Sequence, residues 1–235
     1  MSKFNKRLLS VVVGLLFLLS LTYAGKRAEL FAMAEGTGNP DARFCVVIDA
    51  GHGGNDPGKI GVNGAKEKEI NLQIAQRVKS YLEASDVRVV MTREGDEGLN
   101  DPGADNKKVQ DMKRRIELID RTAPQVTVSI HQNSYPQEDV RGAQVFYYKT
   151  SKQGRELAQA IQGSLVRRVD PENRRQVKEN DSYYLLKKTG TTIVIVECGF
   201  LSNSTEAEKL CTEEYQDRVA WAIHVGILKY LNEQQ

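Results

Sequence analysis

Two histidines follow apolar runs that are typical of buried strands. His52 comes after residues 46–48, Val-Val-Ile, within a turn rich in glycine, and His131 directly follows residues 126–130, Val-Thr-Val-Ser-Ile. A single histidine at the end of a strand is most often a structural core group. In open α/β sheets, however, side chains at the carboxyl ends of strands line the ligand crevice. The two histidines can therefore converge on one site.

Carboxylates stand at comparable places. Glu197 ends the β-branched run of residues 192–196, where a carboxylate is costly to bury without a partner. Its ordinary alternative is a salt bridge to a basic side chain. Glu67 and Glu69 both lie in the first turn of a predicted helix, where acidic residues commonly complement the helix dipole. The residues alone leave the choice between Glu67 and Glu69 open.

This set of side chains matches a known kind of metal chemistry. Two imidazoles and one carboxylate, with a fourth position open to water, are the ligands of a catalytic zinc. Such a metal activates water and polarises a carbonyl, and a second carboxylate carries the proton to the leaving group. The ligands are far apart in sequence, unlike the short helical His-Glu-x-x-His pattern of many zinc proteases. The residues therefore predict a zinc hydrolase, with satisfied core histidines as the alternative.

The surrounding pattern predicts an α/β fold. Apolar strands alternate with helices whose apolar residues recur every three or four positions, as in the helix that begins near Lys66 and carries Ile70, Ile74, Val78 and Leu82. We expect a single three-layer domain, with a mostly parallel or mixed twisted sheet and helices on both faces.

Several smaller features complete the prediction. Residues 94–106 are polar and predict a long surface loop. Arg115 falls at the edge of the buried stripe of its helix, where an arginine needs a carboxylate or an anionic ligand, whereas Arg114 points towards solvent. Residues 183–186 predict a short strand, and His224 is expected to face solvent on the last helix.

Composition limits the functional class. The chain has 235 residues, of which 40% are hydrophobic and 27% are charged, which is typical of a globular protein. It has 33 basic and 31 acidic residues, and Lys3, Lys6 and Arg7 lie in the N-terminal segment. The remainder is close to neutral, so no nucleic-acid partner is expected.

The N-terminus predicts export. Residues 1–24 combine a basic start with an apolar run, as in a signal peptide cleaved after Ala24 or an uncleaved signal anchor. Residues 25–42 predict a linker, and residues 43–235 the catalytic domain. Membrane contact is expected only through the N-terminal segment. The three cysteines do not form a disulfide framework, and Cys45 and Cys198 are expected to be buried free thiols.

Five motifs, spread from about Phe44 to Leu231, resemble those of one enzyme family, the zinc-dependent N-acetylmuramoyl-L-alanine amidases of the amidase-3 type. The motifs are Val-Ile-Asp-Ala-Gly-His-Gly-Gly (47–54), Lys-Glu-Lys-Glu-Ile-Asn-Leu (66–72), Met-Thr-Arg (91–93), Ser-Ile-His-Gln-Asn (129–133) and Val-Glu-Cys-Gly-Phe-Leu-Ser-Asn (196–203).

The resemblance assigns roles to residues. It implies that His52, Glu67 and His131 bind Zn²⁺, and it selects Glu67 over Glu69. It implies that Glu197 is the catalytic carboxylate, and that Arg115 is a further member of the catalytic set. The substrate so implied is the amide bond between N-acetylmuramic acid and L-alanine in peptidoglycan.

The compact form, the single hydrophobic segment and the loop at 94–106 resemble the germination-specific amidases of spore formers. These enzymes contribute to muramic-δ-lactam formation in the spore cortex, and some act with a lipoprotein partner. The alternatives are a general wall amidase of division or autolysis, a zinc hydrolase that cuts elsewhere in the peptide, and a non-catalytic peptidoglycan-binding relative. All of them place the protein outside the cytoplasm.

Overall fold

The computed structural model describes residues 12–25, residue 39 and residues 41–234. Residues 12–25 form an exposed helix. Among the described residues, no helix combines the length and the apolarity needed to cross a bilayer. The remainder of the predicted signal segment, residues 1–11, and most of the predicted linker lie outside the described residues.

Six strands form one mixed sheet in the order β2-β1-β3-β6-β4-β5. The pairs β1–β2, β1–β3, β3–β6 and β4–β5 are parallel, and β4 runs antiparallel to β6. This confirms the predicted mixed sheet. The strands are β1 (Phe44–Ala50), β2 (Val87–Met91), β3 (Val126–Asn133), β4 (Gln144–Tyr148), β5 (Lys178–Asn180) and β6 (Ile193–Phe200).

Helices cover both faces of the sheet, as predicted. Helices α1, α3, α5 and α6 contribute to the larger apolar core on one face, and α2 and α4 to the smaller core on the other. These helices are α1 (Glu67–Glu83), α2 (Lys107–Thr122), α3 (Lys152–Arg168), α4 (Tyr184–Lys188), α5 (Ser204–Leu210) and α6 (Glu213–Glu233).

The three central strands are apolar on both faces because each face is covered by helices. Val47 belongs to the smaller core and Ile48 to the larger, and both are fully buried. Each such side chain contributes roughly 1.5–3 kcal/mol through burial. Because β1, β3 and β6 run in parallel, their carboxyl ends meet at one edge of the sheet. We call this edge, with its adjoining loops, the carboxyl edge of the sheet.

Four local predictions differ from the structure. Residues Tyr184–Lys188 form helix α4 where a strand was expected over 183–186. His224 is only 4% exposed, and its Nε2 lies 2.9 Å from the hydroxyl of Ser85. Arg114 is not free in solvent, since it forms an ion pair of 2.9 Å with Asp101. Cys198 is buried as expected, whereas Cys45 is only half-buried; both are free thiols.

Candidate active site

The turn after β1 presents His52. The residue has a φ of 63°, a left-handed conformation that is uncommon outside glycine. Its Nδ1 lies 3.0 Å from Oδ2 of Asp56, and its Nε2 lies 3.2 Å from Oε1 of Glu67. The preceding Gly51 has no room for a side chain, because a Cβ there would collide with the His131 ring. Glycine at this position therefore lets the two histidines approach.

His131 reaches the same point from β3. It pairs in register with Glu197 of β6, and the register shifts immediately beyond it. The rings of His52 and His131 meet edge to face, with centroids 5.0 Å apart. Nδ1 of His131 lies 2.9 Å from Oε1 of Glu67. Burial opposes the charged form of His131, but the contact with Glu67 outweighs it and raises the pKa of the imidazole.

Glu67 lies between the two imidazoles. It is the first residue of α1 and is 2% exposed. Its Oε1 accepts from the backbone N–H of Gln132 at 3.1 Å, and its Oε2 accepts from the N–H of Lys59 at 2.8 Å. Burial alone would raise the pKa of Glu67, but the contacts with His131 and His52 hold it well below the usual range.

Glu69, the other candidate from the sequence, lies apart from this cluster. Its side chain is half exposed and forms a surface ion pair of 3.0 Å with Lys66. The two glutamates of the same helical turn therefore have different surroundings, and Glu67 is the one that contacts both histidines.

The cluster fits a divalent cation. Among the described residues, His52, Glu67 and His131 each offer a ligand atom, and these atoms lie within 4.8 Å of one another. Two imidazoles and a carboxylate are the donor set of catalytic zinc sites. A carboxylate beside the other ring nitrogen, as Asp56 is for His52, is the usual way in which a metal-binding histidine is oriented.

Glu197 lies next to this cluster on β6. It is 7% exposed, and no described residue gives its Oε2 a hydrogen-bond partner. Burial, helped by the negative charge of Glu67 and opposed by His131, raises the pKa of Glu197 to about 7. A carboxyl group in this range can both take and release a proton near neutral pH.

Comparison with known proteins identifies the family. The model of the family described as N-acetylmuramoyl-L-alanine amidase (Amidase_3) matches residues 46–229. The chain belongs to this family. The germination-specific N-acetylmuramoyl-L-alanine amidase of Bacillus subtilis is 36% identical over 192 residues, which cover 80% of each chain. The family resemblance and the hydrolase class predicted from the sequence are confirmed.

Solved structures agree with this assignment. The CwlD amidase of Clostridioides difficile, solved in complex with the GerS lipoprotein, is 40% identical with a TM-score of 0.79; the match covers 81% of this chain and 100% of that one. An N-acetylmuramoyl-L-alanine amidase of Clostridium difficile 630 is 31% identical with a TM-score of 0.74, covering 83% of this chain and 100% of that one. The α/β fold of the amidase is thereby confirmed.

Arg115 forms hydrogen bonds with the backbone and side chains next to the site of the amidase. The side chain is 2% exposed, and its NH1 contacts Oδ1 of Asp49 at 2.6 Å and the carbonyl of Ala50 at 2.9 Å. NH2 donates to the carbonyl of His52 at 2.6 Å, and Nε donates to Asp111 at 2.7 Å. The guanidinium thus connects the end of β1 and the His52 turn to helix α2.

The amidase cleft is lined by two kinds of side chain. The polar ones include His52, His131 and Glu197, together with Asp56, Lys108 and Asp111. The aromatic and aliphatic ones are Met112, Tyr183, Tyr184, Leu185 and Ile195. A substrate with an apolar group beside a polar, hydrogen-bonding backbone suits this combination.

Sequence reasoning missed four residues around the site. Asp49, inside the apolar run of β1, accepts from Arg115, Thr92 and Ser129, and an aspartate in such a run is itself a signal of a buried partner. Asp56 follows His52 by four residues. Asn71 follows Glu67 by four and lies one turn along the same helix face. Tyr183 contacts Glu197, and no pattern in the sequence indicates that contact.

Proposed function

We propose that this amidase is a zinc-dependent enzyme that hydrolyses the bond between N-acetylmuramic acid and L-alanine of peptidoglycan outside the cytoplasm. The observation that carries the proposal is the convergence of His52, Glu67 and His131 beside a second buried carboxylate, Glu197. Within this proposal, His52, Glu67 and His131 hold the zinc and Glu197 moves the proton.

The zinc ion, when bound, supplies Lewis-acid polarisation of the scissile carbonyl and activation of the attacking water. Glu197 accepts the proton of that water and delivers it to the nitrogen of L-alanine as the amide bond breaks. The products are a free lactyl carboxylate on the sugar and a stem peptide with a new amino terminus. Arg115 keeps the His52 turn in place through its contact with the His52 carbonyl.

We further propose a role in spore cortex maturation. This is supported by the germination-specific relative and by the structural similarity to CwlD. Removal of the stem peptide frees the lactyl carboxylate, which can form muramic-δ-lactam once a deacetylase has exposed the sugar amine. Because the CwlD structure contains the GerS lipoprotein, we propose that a lipoprotein also assists this amidase.

The test is digestion of purified peptidoglycan by the zinc-loaded protein. We expect mass spectrometry to detect stem peptides with a free N-terminal L-alanine, and their release to stop when a chelator is added. A preference for cortex over vegetative peptidoglycan would support the spore role, and the reverse preference would indicate a general wall amidase.

Two variants separate zinc binding from proton transfer. His131→Ala is expected to lose bound zinc, whereas Glu197→Gln is expected to keep zinc and lose turnover. Unchanged zinc content in His131→Ala would refute the metal site, and full activity in Glu197→Gln would remove Glu197 from the mechanism.

A further inference from the structure

Tyr183 contacts Glu197, the carboxylate that is proposed to transfer the proton. Its hydroxyl lies 3.4 Å from Oε1 of Glu197. Within the described part of the chain, this phenol is the one side chain that forms a hydrogen bond with Glu197. Catalytic hydrogen bonds are often long in the absence of substrate and shorten in the complex. The contact therefore lies where a functional hydrogen bond would form.

The Tyr183 side chain is held in place independently of Glu197. Its backbone N–H donates to the side chain of Asn180 at 2.7 Å, which fixes the turn before helix α4. Its ring packs edge to face on Phe146 of β4, with centroids 5.5 Å apart. The hydroxyl is therefore presented from a rigid support, as a group that orients another side chain must be.

Tyr183 acts as a donor in this contact. Burial, together with the negative charge of Glu197, raises the pKa of Tyr183 to about 12. The phenol is therefore protonated at any pH at which the protein would work. Glu197 must be ionised to accept the proton of the attacking water, and an ionised carboxylate can only accept hydrogen bonds, so in this form the hydroxyl donates and Oε1 accepts.

Without this donor, Glu197 has little to orient it. The last torsion of a glutamate side chain has a broad, roughly two-fold energy profile, so a carboxylate without partners rotates easily. Oε2 of Glu197 is buried and has no partner among the described residues. Fixing Oε1 is therefore sufficient to fix the plane of the whole group.

We infer that Tyr183 is a positioning residue for Glu197: its hydroxyl donates to Oε1 and holds the carboxylate in the orientation used for proton transfer. The inference rests on the proposed function, since it concerns the group that moves the proton. It adds to the site a residue that also lines the cleft.

The test is Tyr183→Phe, which removes the hydroxyl and keeps the ring on Phe146. Loss of one hydrogen bond to a charged group predicts a fall in kcat of roughly 10-fold. KM and zinc content are expected to stay at the wild-type values, because ground-state binding is unchanged. The matched control is Tyr148→Phe, since Tyr148 is half-buried against the same core cluster. Wild-type kcat in Tyr183→Phe, or an equal fall in the control, would overturn the inference.

A second readout does not depend on turnover. In protein labelled with ¹³Cζ-tyrosine, the resonance that disappears in Tyr183→Phe belongs to Tyr183. We expect this resonance to move in Glu197→Gln, because the charge that faces the phenol is removed. An unmoved resonance would show that the two groups do not interact. Failure of the proposed function would give a different result. The wild-type protein would release no stem peptides, but the Tyr183 resonance would still move in Glu197→Gln.

Discussion

Replacement of Arg115 by methionine should destabilise the fold severely, because the guanidinium is the main partner of a buried carboxylate. Asp49 is 1% exposed, and despite its burial the contacts with Arg115 and Ser129 lower its pKa from 3.8 to about 2. That difference corresponds to about 2.5 kcal/mol of stabilisation. The carbonyl of His52 would also lose its donor, and that of Ala50 would lose one of two, since Arg93 also donates to it; each lost hydrogen bond costs about 1 kcal/mol.

The expected loss is therefore about 4–5 kcal/mol, which agrees with the 3–5 kcal/mol found when one partner of a buried ion pair is removed. Arg114 provides the matched control, since it is the adjacent arginine on the same helix. Its ion pair with Asp101 is partly exposed, so Arg114→Met should cost only about 1 kcal/mol. Most domains have 5–15 kcal/mol of stability, hence the Arg115 variant should be close to unfolding.

The assay is urea denaturation of both variants, with the midpoint and slope fitted separately. Adding Asp49→Asn to Arg115→Met should recover part of the loss, because the unpaired charge is then absent. An equal loss in Arg114→Met and Arg115→Met would refute the reasoning. If Arg115→Met kept full stability and lost only activity, Arg115 would have a direct catalytic role in place of a positioning one.

Three further predictions concern the carboxyl edge of the sheet. Gly51→Ala should abolish zinc binding, because the new Cβ displaces the His131 ring. The circular dichroism spectrum should stay that of the wild type, and zinc binding equal to wild type would contradict the prediction. Asn71→Ala should weaken zinc binding about 10–100-fold in a competition titration, since Asn71 contacts Glu67 and the carbonyl of Gly51; an unchanged affinity would exclude that support. Asp49 is anionic in the folded state down to about pH 2 but titrates near 3.8 when unfolded, so its stabilisation is complete above pH 4 and is lost as the pH falls towards 2. Acid denaturation of Asp49→Asn should lack this component, and identical pH slopes would contradict the assignment.

The sequence predicted the strands that carry the site, because β1, β3 and β6 are short β-branched runs with few alternatives. It could not distinguish Glu67 from Glu69 by periodicity, since both lie in the first turn of one helix. The distinction depends on long-range packing, which brings His52 and His131 to one of the two glutamates and leaves the other beside Lys66.

Two errors have related physical causes. The expectation for His224 assumed that the last helix has one narrow apolar stripe, but α6 packs against both α1 and α3. Its buried surface is consequently wider, and the imidazole stacks on Tyr81. Residues 183–186 are aromatic and aliphatic, which favours a strand locally. In the structure residues 184–186 belong to the short helix α4, and Leu185 and Leu186 pack into the smaller core.

The two site carboxylates have opposite surroundings, and their proposed roles follow from that difference. Glu67 touches two imidazoles and accepts from two backbone N–H groups, so it stays anionic, as a metal ligand must. Glu197 is buried near the negative charge of Glu67 and has one hydroxyl beside it, so its pKa rises to about 7. A bound cation would favour its ionised form, in which it can accept the proton of the attacking water. A pair of carboxylates whose pKa values are driven apart in this way is how one cleft supplies both a permanent anion and a proton carrier.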